Sequence, residues 1–423
     1  MMKEKLPIAP EERAPLLALR REAKMTSSAH AYVRGSTKHF YEWLSSARGR
    51  SLPDAPSIWI GGDCHVGNLG PIAAKDGSTQ TELRDLDQTV IGSPAHDVVR
   101  LVLSMAMAVR ASGLPGAVTA NVTESVARGY ETVLEGRAAE RELAAERPPE
   151  LVIAVLRQAR GRSRHDLLQE RLGKSAGKIP IGKRYWPLVP EERAAVEKLV
   201  ATLKVRKLVT GLASRDDDAD VELVDAAYWV KGCSSLGLWR AAAVVRVGGK
   251  KDRSRQHALL DIKEAIAPLA PHGTKVKLPA HQGERVVTGA RALSPSFGER
   301  MAPASVLTRD VFVRELLPQD LKFELETLTE HEANAVGHYL GSVVALAHAR
   351  QLSCEAAGAW LRTFRKGNAK NTTAPAWLWA AVVDLVALHE GAYLEHCREH
   401  ALPPTEIFER TAREVTSHHV TGD

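Results

Sequence analysis

The chain has 423 residues, 44% of them hydrophobic and 26% charged, which is enough for a sizeable core and for two or three structural units. Its 57 basic residues exceed its 51 acidic ones without forming a long stripe, and aromatic content is 5%. Nucleic-acid binding is therefore not expected, while an anionic ligand such as a nucleotide fits the charge balance. No apolar run approaches the ~20 residues that span a bilayer, and MMKEKLPIAPEER carries no apolar leader. Four cysteines (Cys64, Cys233, Cys354, Cys397) stand far apart, without the pairing of a zinc site or a disulfide framework. A cytoplasmic protein with reduced thiols and no membrane partner is expected.

Residues 11–48 carry helical apolar spacing, interrupted at Arg34-Gly35. Ser57-Ile58-Trp59-Ile60 ends in Gly61-Gly62, the pattern of a buried strand entering a tight loop. Thr81 to Leu86 is a second strand candidate, after a turn at Lys75-Asp76-Gly77-Ser78. Asp97 to Gly136 reads as helix broken between Gly113 and Gly116. Arg157 to Tyr185, rich in Arg, Lys, Gly and Ser, is expected to be exposed loop with short helix. After residue 222, Val224 to Lys231, Leu238 to Val247 and Ala258 to Lys263 are β-rich, separated by the Gly232–Gly237 turn and by a hairpin turn at Gly248–Asp252. Glu284 to Leu293 is helical, Val311 to Leu317 is a strand ending at Pro318, and the chain from Leu328 onward is mostly helical. The acidic run Asp216-Asp217-Asp218 reads as loop. The order α, then mainly antiparallel β, then α predicts an α+β protein.

The densest chemistry lies in Gly62-Asp63-Cys64-His65-Val66-Gly67-Asn68, Arg84-Asp85-Leu86-Asp87 and Gly92-Ser93-Pro94-Ala95-His96-Asp97. Each acid follows a strand or sits at a Gly/Pro turn, where side chains reach a cleft. Phosphoryl transfer needs a carboxylate to orient the attacking hydroxyl and hard oxygen ligands to hold magnesium against the phosphates. Asp63, with Asn68 five residues on and Asp85 on the next strand, supplies that set, with the Asp-to-Asn spacing of the kinase catalytic loop. Asp87 reads as a further metal ligand or as a turn residue. Asp97, at a helix start, reads most simply as an N-cap. His65 reads as a hydrogen-bonded supporting histidine rather than a metal ligand, and is grouped with Asp63 and Arg34 in the candidate catalytic set.

Lys231-Gly232-Cys233-Ser234-Ser235-Leu236-Gly237 is a glycine-bearing turn between strands, whose backbone N–H groups can approach phosphate oxygens; the alternative is an ordinary hairpin. Gly232, Ser234, Ser235 and Gly237 are its candidate nucleotide-binding residues. Lys263 ends the third strand inside an apolar run, where a lysine is unfavourable unless paired or facing a ligand, the alternative being an edge lysine. Glu284, at the start of the next helix, is a candidate partner for it, as is Glu264.

The first cluster resembles the aminoglycoside-phosphotransferase and choline-kinase branch of the kinase superfamily. By that resemblance Asp63 is the catalytic base, Asn68 and Asp85 are magnesium ligands, and His65 and Asp97 support the loop; Gly61 departs from the histidine usual there. Kinases place the glycine turn before the catalytic loop, and this chain reverses them. The ordered set Tyr32-Val33-Arg34-Gly35, Gly62 to Asn68, Asp85-Leu86-Asp87-Gln88, Gly232 to Gly237, Ile262-Lys263-Glu264-Ala265 and Ala347-His348-Ala349-Arg350 resembles the uncharacterised bacterial family of domain of unknown function 2252. Gln88 stands where that family usually has Glu, and Cys233-Ser234 interrupts its glycine pattern. The resemblance implies a permuted, two-lobed kinase-like fold. Residues 1–179 would begin a helical catalytic lobe, 180–325 would form a β-rich nucleotide lobe, and 326–423 would complete the first. It implies ATP and Mg2+ as cofactors and phosphoryl transfer to an acceptor hydroxyl, a small molecule rather than a protein. AMP transfer and nucleotide-dependent regulation without turnover are the alternatives. Arg34 and Arg350 match charged family positions, where an arginine either neutralises phosphate charge or ties helices together.

Overall fold

The computed structural model describes residues 8–173, 177–232, 235–248, 256–272, 277–323, 328–368 and 373–400. Three helices open the chain, α1 (Pro10–Met25), α2 (Ala29–Gly35) and α3 (Thr37–Leu44), and the expected interruption is the α2–α3 junction. Four short strands follow, β1 (Ile58–Ile60), β2 (Leu69–Ala73), β3 (Thr79–Leu83) and β4 (Val90–Gly92). They pair as two antiparallel ribbons, β1 with β4 and β2 with β3. Next come α4 (Pro94–Ala111), α5 (Gly116–Ala138), α6 (Glu150–Gly161) and α7 (Arg164–Leu172). Residues 157–172 are thus more helical than expected. Ser163 and Asp166 cap α7 reciprocally, and burial of Leu167 and Leu172 gives it an inner face.

The middle of the chain holds β5 (Tyr185–Trp186), α8 (Pro190–Val200), α9 (Leu203–Thr210), β6 (Val221–Trp229), β7 (Arg240–Val247), β8 (Gln256–Glu264), α10 (Gln282–Leu293), α11 (Pro295–Gly298), β9 (Met301–Val306) and β10 (Arg309–Leu316). Six strands form one antiparallel sheet in the order β5-β6-β7-β8-β10-β9. The strands anticipated around 224–231, 238–247, 258–263 and 311–317 all lie in it. The turn expected at Gly248–Asp252 lies largely outside the described residues. β9 is not evident from sequence because Pro303 interrupts it; it occupies the sheet edge, where a missing N–H disturbs the ladder least.

Alternation along the strands gives the sheet two different faces. One, with Trp186, Tyr228, Ala241, Ala243, Leu260 and Val313, packs against α1, α8 and α9. The other carries Tyr185, Ala227, Trp229, Ala242, Val244 and Leu259, and continues into the charged Arg240, Asp261, Lys263 and Arg314. The mixed α+β class is as expected.

The chain continues through α12 (Glu330–Ala349), α13 (Cys354–Phe364) and α14 (Ala376–His400), which join α4, α5 and β1 in the largest core. α5 and α12 meet almost backbone to backbone. A β-carbon on Gly129 would overlap the His338 carbonyl, and one on Gly341 would overlap the Val126 carbonyl. Gly129→Ala should therefore destabilise by about 1–3 kcal/mol through overpacking, although alanine is the better helix former by about 1 kcal/mol. Urea unfolding checks this, and a neutral or stabilising result would contradict the close approach.

Candidate active site

β1 runs into Gly61-Gly62-Asp63. Gly62 has φ +73°, and a β-carbon there would strike the Gln88 backbone, so only glycine fits. The Gly61 and Gly62 amides donate to the two carboxylate oxygens of Asp97, at 2.7 and 2.9 Å. Asp97 is fully buried in the first turn of α4, but the N-cap of that helix is Ser93, whose hydroxyl accepts from the Ala95 amide. The N-cap expected at Asp97 is corrected accordingly: its carboxylate faces back into the core and clamps the loop. Its third partner is His348 Nε2 at 3.2 Å, while His348 Nδ1 lies 2.9 Å from the Tyr130 hydroxyl and Trp360 Nε1 lies 3.1 Å from that hydroxyl. Indole only donates, so the Tyr130 proton goes to His348 Nδ1, and the Nε2 proton of His348 points at Asp97. His348 lies in the Ala347–Arg350 motif, where the neighbouring Arg350 was the more obvious candidate; Arg350 is exposed at the end of α12.

Asp63 is buried. Arg100 Nε donates to its Oδ1 at 2.9 Å and the Thr37 hydroxyl to its Oδ2 at 3.1 Å. Burial pushes its pKa upward, and Arg100 pulls against that rise. Asn68 donates its side-chain N–H to the Asp63 carbonyl at 3.0 Å, which leaves its amide oxygen as an acceptor. His65 Nε2 lies 4.0 Å from Asp63 Oδ2, and burial, then Arg34 and Arg100, hold the imidazole well below its ordinary pKa. It is a neutral neighbour of Asp63. Arg34 packs against Gly67, where a β-carbon would sit 3.1 Å from the guanidinium, and its Nε is buried without a partner.

Asp85 and Asp87 follow β3 and meet Lys263 of β8. The ammonium lies 3.4 Å from Asp85 Oδ1 and in closer contact with Asp87 Oδ2. Lys263 is buried, whereas the Asp85 side chain is 49% exposed and faces the cleft. Burial and the charge of Asp85 push Asp87 up to about 6. Partial desolvation in the cleft opposes ionisation of the half-exposed Asp85 too, but Lys263 and then Arg314 hold it well below the usual carboxylate range. Asp87 Oδ1 is buried with no hydrogen-bond partner.

Glu284 is not the partner of Lys263. It is exposed in the first turn of α10, and one residue further round that helix Arg285 points inward. Arg285 donates to the carbonyls of Asp87 and Ile266, each at 2.9 Å, and to that of Thr89, so α10 braces the acidic turn through this arginine. Glu264 accepts from the Trp239 amide at 2.7 Å. Sequence reasoning also missed a buried triad. Asp261, fully buried, lies between Arg240 Nε at 2.7 Å and Arg314 Nη2 at 2.9 Å. Only strand register brings these three together, although charged residues inside apolar strands were a visible hint.

In the glycine turn, Gly232 (φ +129°) and Gly237 (φ +112°) adopt backbone angles that favour glycine. Lys24 of α1 donates to the Gly232 carbonyl at 2.9 Å. Ser234 lies outside the described residues. A cleft of about 760 Å³ gathers Asp63, Asn68, Asp85, Asp87, Ser235 and Gly237 on its walls, with parts of α1 and α14 at its mouth. Lys263 stands behind the acid pair and His65 beside Asp63.

A family model described as an uncharacterized protein conserved in bacteria (DUF2252) matches residues 13–399. The chain belongs to this family. The DUF2252 match spans every residue of the cleft described above. No curated protein and no solved structure matches the chain. No helix among the described residues is long and apolar enough to cross a membrane.

Proposed function

We propose that this DUF2252 chain is an ATP- and magnesium-dependent phosphotransferase on a two-lobed, permuted kinase-like fold, acting on a hydroxyl of a small-molecule acceptor. One observation carries the reading: Lys263 meets Asp85, 178 residues away in sequence, on the cleft that also holds Asp63 and Asn68. The order strand, glycine turn, strand, lysine-bearing strand, helix, strand pair from β6 to β10 supports it, being that of a kinase-like nucleotide lobe.

The donor set suits magnesium. Asp85, Asp87 and the Asn68 amide oxygen are hard oxygen ligands, and the unpartnered Asp87 Oδ1 is a buried acceptor awaiting a cation. Bound there, magnesium would neutralise charge on the phosphate oxygens. Lys263 would exchange part of its contact with the acid pair for the phosphates, and the 232–237 backbone would close over them. Asp63 would orient the acceptor hydroxyl and take its proton. Its burial raises its basicity, and Arg100 and Thr37 fix the carboxylate plane. Arg34, packed against Gly67, would act in this site by helping to hold His65 neutral beside Asp63.

Isothermal titration with Mg–ATP across pH tests the assignment. Wild type should bind with an affinity that is level above pH 7 and falls as Asp87 takes up its proton near pH 6, because metal ligands must be deprotonated. Asp85→Ala should weaken magnesium-dependent binding at least about tenfold. Absence of nucleotide binding, or binding unchanged by chelator, would refute the site. The mass of the product separates phosphoryl from AMP transfer, and binding without turnover marks a regulator.

A further inference from the structure

On the wall of the cleft, the last turns of α1 and α14 bring two histidines and a carboxylate together. His396 and His400 are four residues apart on α14, so they share one helix face. Their rings are 4.6 Å apart, centroid to centroid. Glu22 of α1 faces them, and one ligand atom from each of the three lies within 4.8 Å of the other two.

Two of the three ligands, His396 and Glu22, are pre-set by neighbours. His396 is buried, and its Nε2 lies 2.9 Å from the Glu22 backbone carbonyl, which can only accept. The proton therefore sits on Nε2. Nδ1 carries the lone pair and lies 3.8 Å from Glu22 Oε2. A backbone carbonyl fixing the tautomer of a ligating imidazole is the usual outer support of a metal-bound histidine. Arg21 engages Glu22 Oε1 at 2.8 Å and so leaves Oε2 for the histidines. The Tyr32 ring packs 5.2 Å from the His396 ring and limits its rotation.

We propose that Glu22, His396 and His400 form a site for a zinc-class divalent transition metal. Two imidazoles and one carboxylate favour zinc, cobalt or nickel over magnesium, whose preference is for oxygen. Tetrahedral zinc spaces such donors about 3.3 Å apart, from metal–ligand distances of about 2.0–2.1 Å, so small side-chain rotations close the site. Glu22 and His396 line the cleft, which places the fourth coordination position toward it. The metal would tie α14 to α1 across the cleft mouth.

The test uses the untagged full chain, stripped with a chelator and titrated with Co2+ and then Zn2+. The expected result is one equivalent of cobalt with intense visible ligand-field absorption, displaced by zinc. His400→Ala and Glu22→Gln should each weaken both metals at least about tenfold, while the exposed His331→Ala should leave them unchanged. The His400 side chain is 38% exposed, so its loss does not threaten the fold, and circular dichroism verifies that. Lack of stoichiometric uptake overturns the proposal, as does uptake that His400→Ala and Glu22→Gln leave undiminished.

Discussion

Asp63→Asn should bind Mg–ATP nearly as well as wild type and turn it over roughly 10²–10⁴-fold more slowly, the range spanned by a positioned general base. Asparagine is the sharper variant than alanine. Its amide oxygen can still accept from Arg100 Nε, which is fully buried and would otherwise be left unpaired at a penalty of about 1–3 kcal/mol, although Nη2 keeps the Val33 carbonyl. What asparagine cannot do is accept a proton, so the loss falls on kcat and leaves the nucleotide affinity alone. If Asp63 is the base proposed above, its raised pKa should put the acid limb of kcat above the ordinary carboxylate range. Equal losses in affinity and in turnover would instead place Asp63 among the binding groups.

Lys263→Met should give the largest combined effect, abolishing measurable nucleotide binding and lowering stability by about 3–5 kcal/mol at neutral pH, the usual penalty for breaking a buried ion pair. Lys263 is the cation that Asp85 and Asp87 share, and the pocket around Asp87 offers its other oxygen no partner. The pH dependence has a definite sign. Asp87 titrates near 6 when folded, above the ordinary aspartate value of 3.8, so the stability tied to its protonated form is complete below 3.8 and is lost as pH rises through 6. Removing the ammonium raises this carboxyl further. The variant should therefore lie closest to wild type near pH 5 and furthest near pH 8, as read from denaturant midpoints. A deficit that is constant with pH would mean that Lys263 matters for packing and not for charge.

Much of this site was legible because its parts are local in sequence. Gly62 to Asn68 and Asp85 to Asp87 each carry their spacing within a few residues, and a glycine turn between β-rich runs announces itself. The residues that escaped are set by tertiary geometry. Glu284 and Arg285 differ by one position, about 100° around a helix, and only packing of α10 against the acidic turn decides which points inward. Asp97 has the sequence context of a cap, yet Ser93 takes that role, and only the fold turns the Asp97 carboxylate toward Gly61 and Gly62. Asp261 needs β7, β8 and β10 in register to find both its arginines. β2 was hidden by Gly70 and Pro71 within it, as β9 was by Pro303.

The line from Gly61 and Gly62 through Asp97 to His348 bears on how this chain acquires its structure. Asp97 and His348 are 251 residues apart, so the contact that finishes the loop around Asp63 closes a loop of more than half the chain. Closure entropy is unfavourable for such a contact, and helices form well before it. A chain folding as it is synthesised would hold the 61–68 segment unfinished until α12 emerged and docked against α5. The loop around Asp63 would thus remain unclamped through most of translation, with α13 and α14, the latter lining the cleft, still to dock.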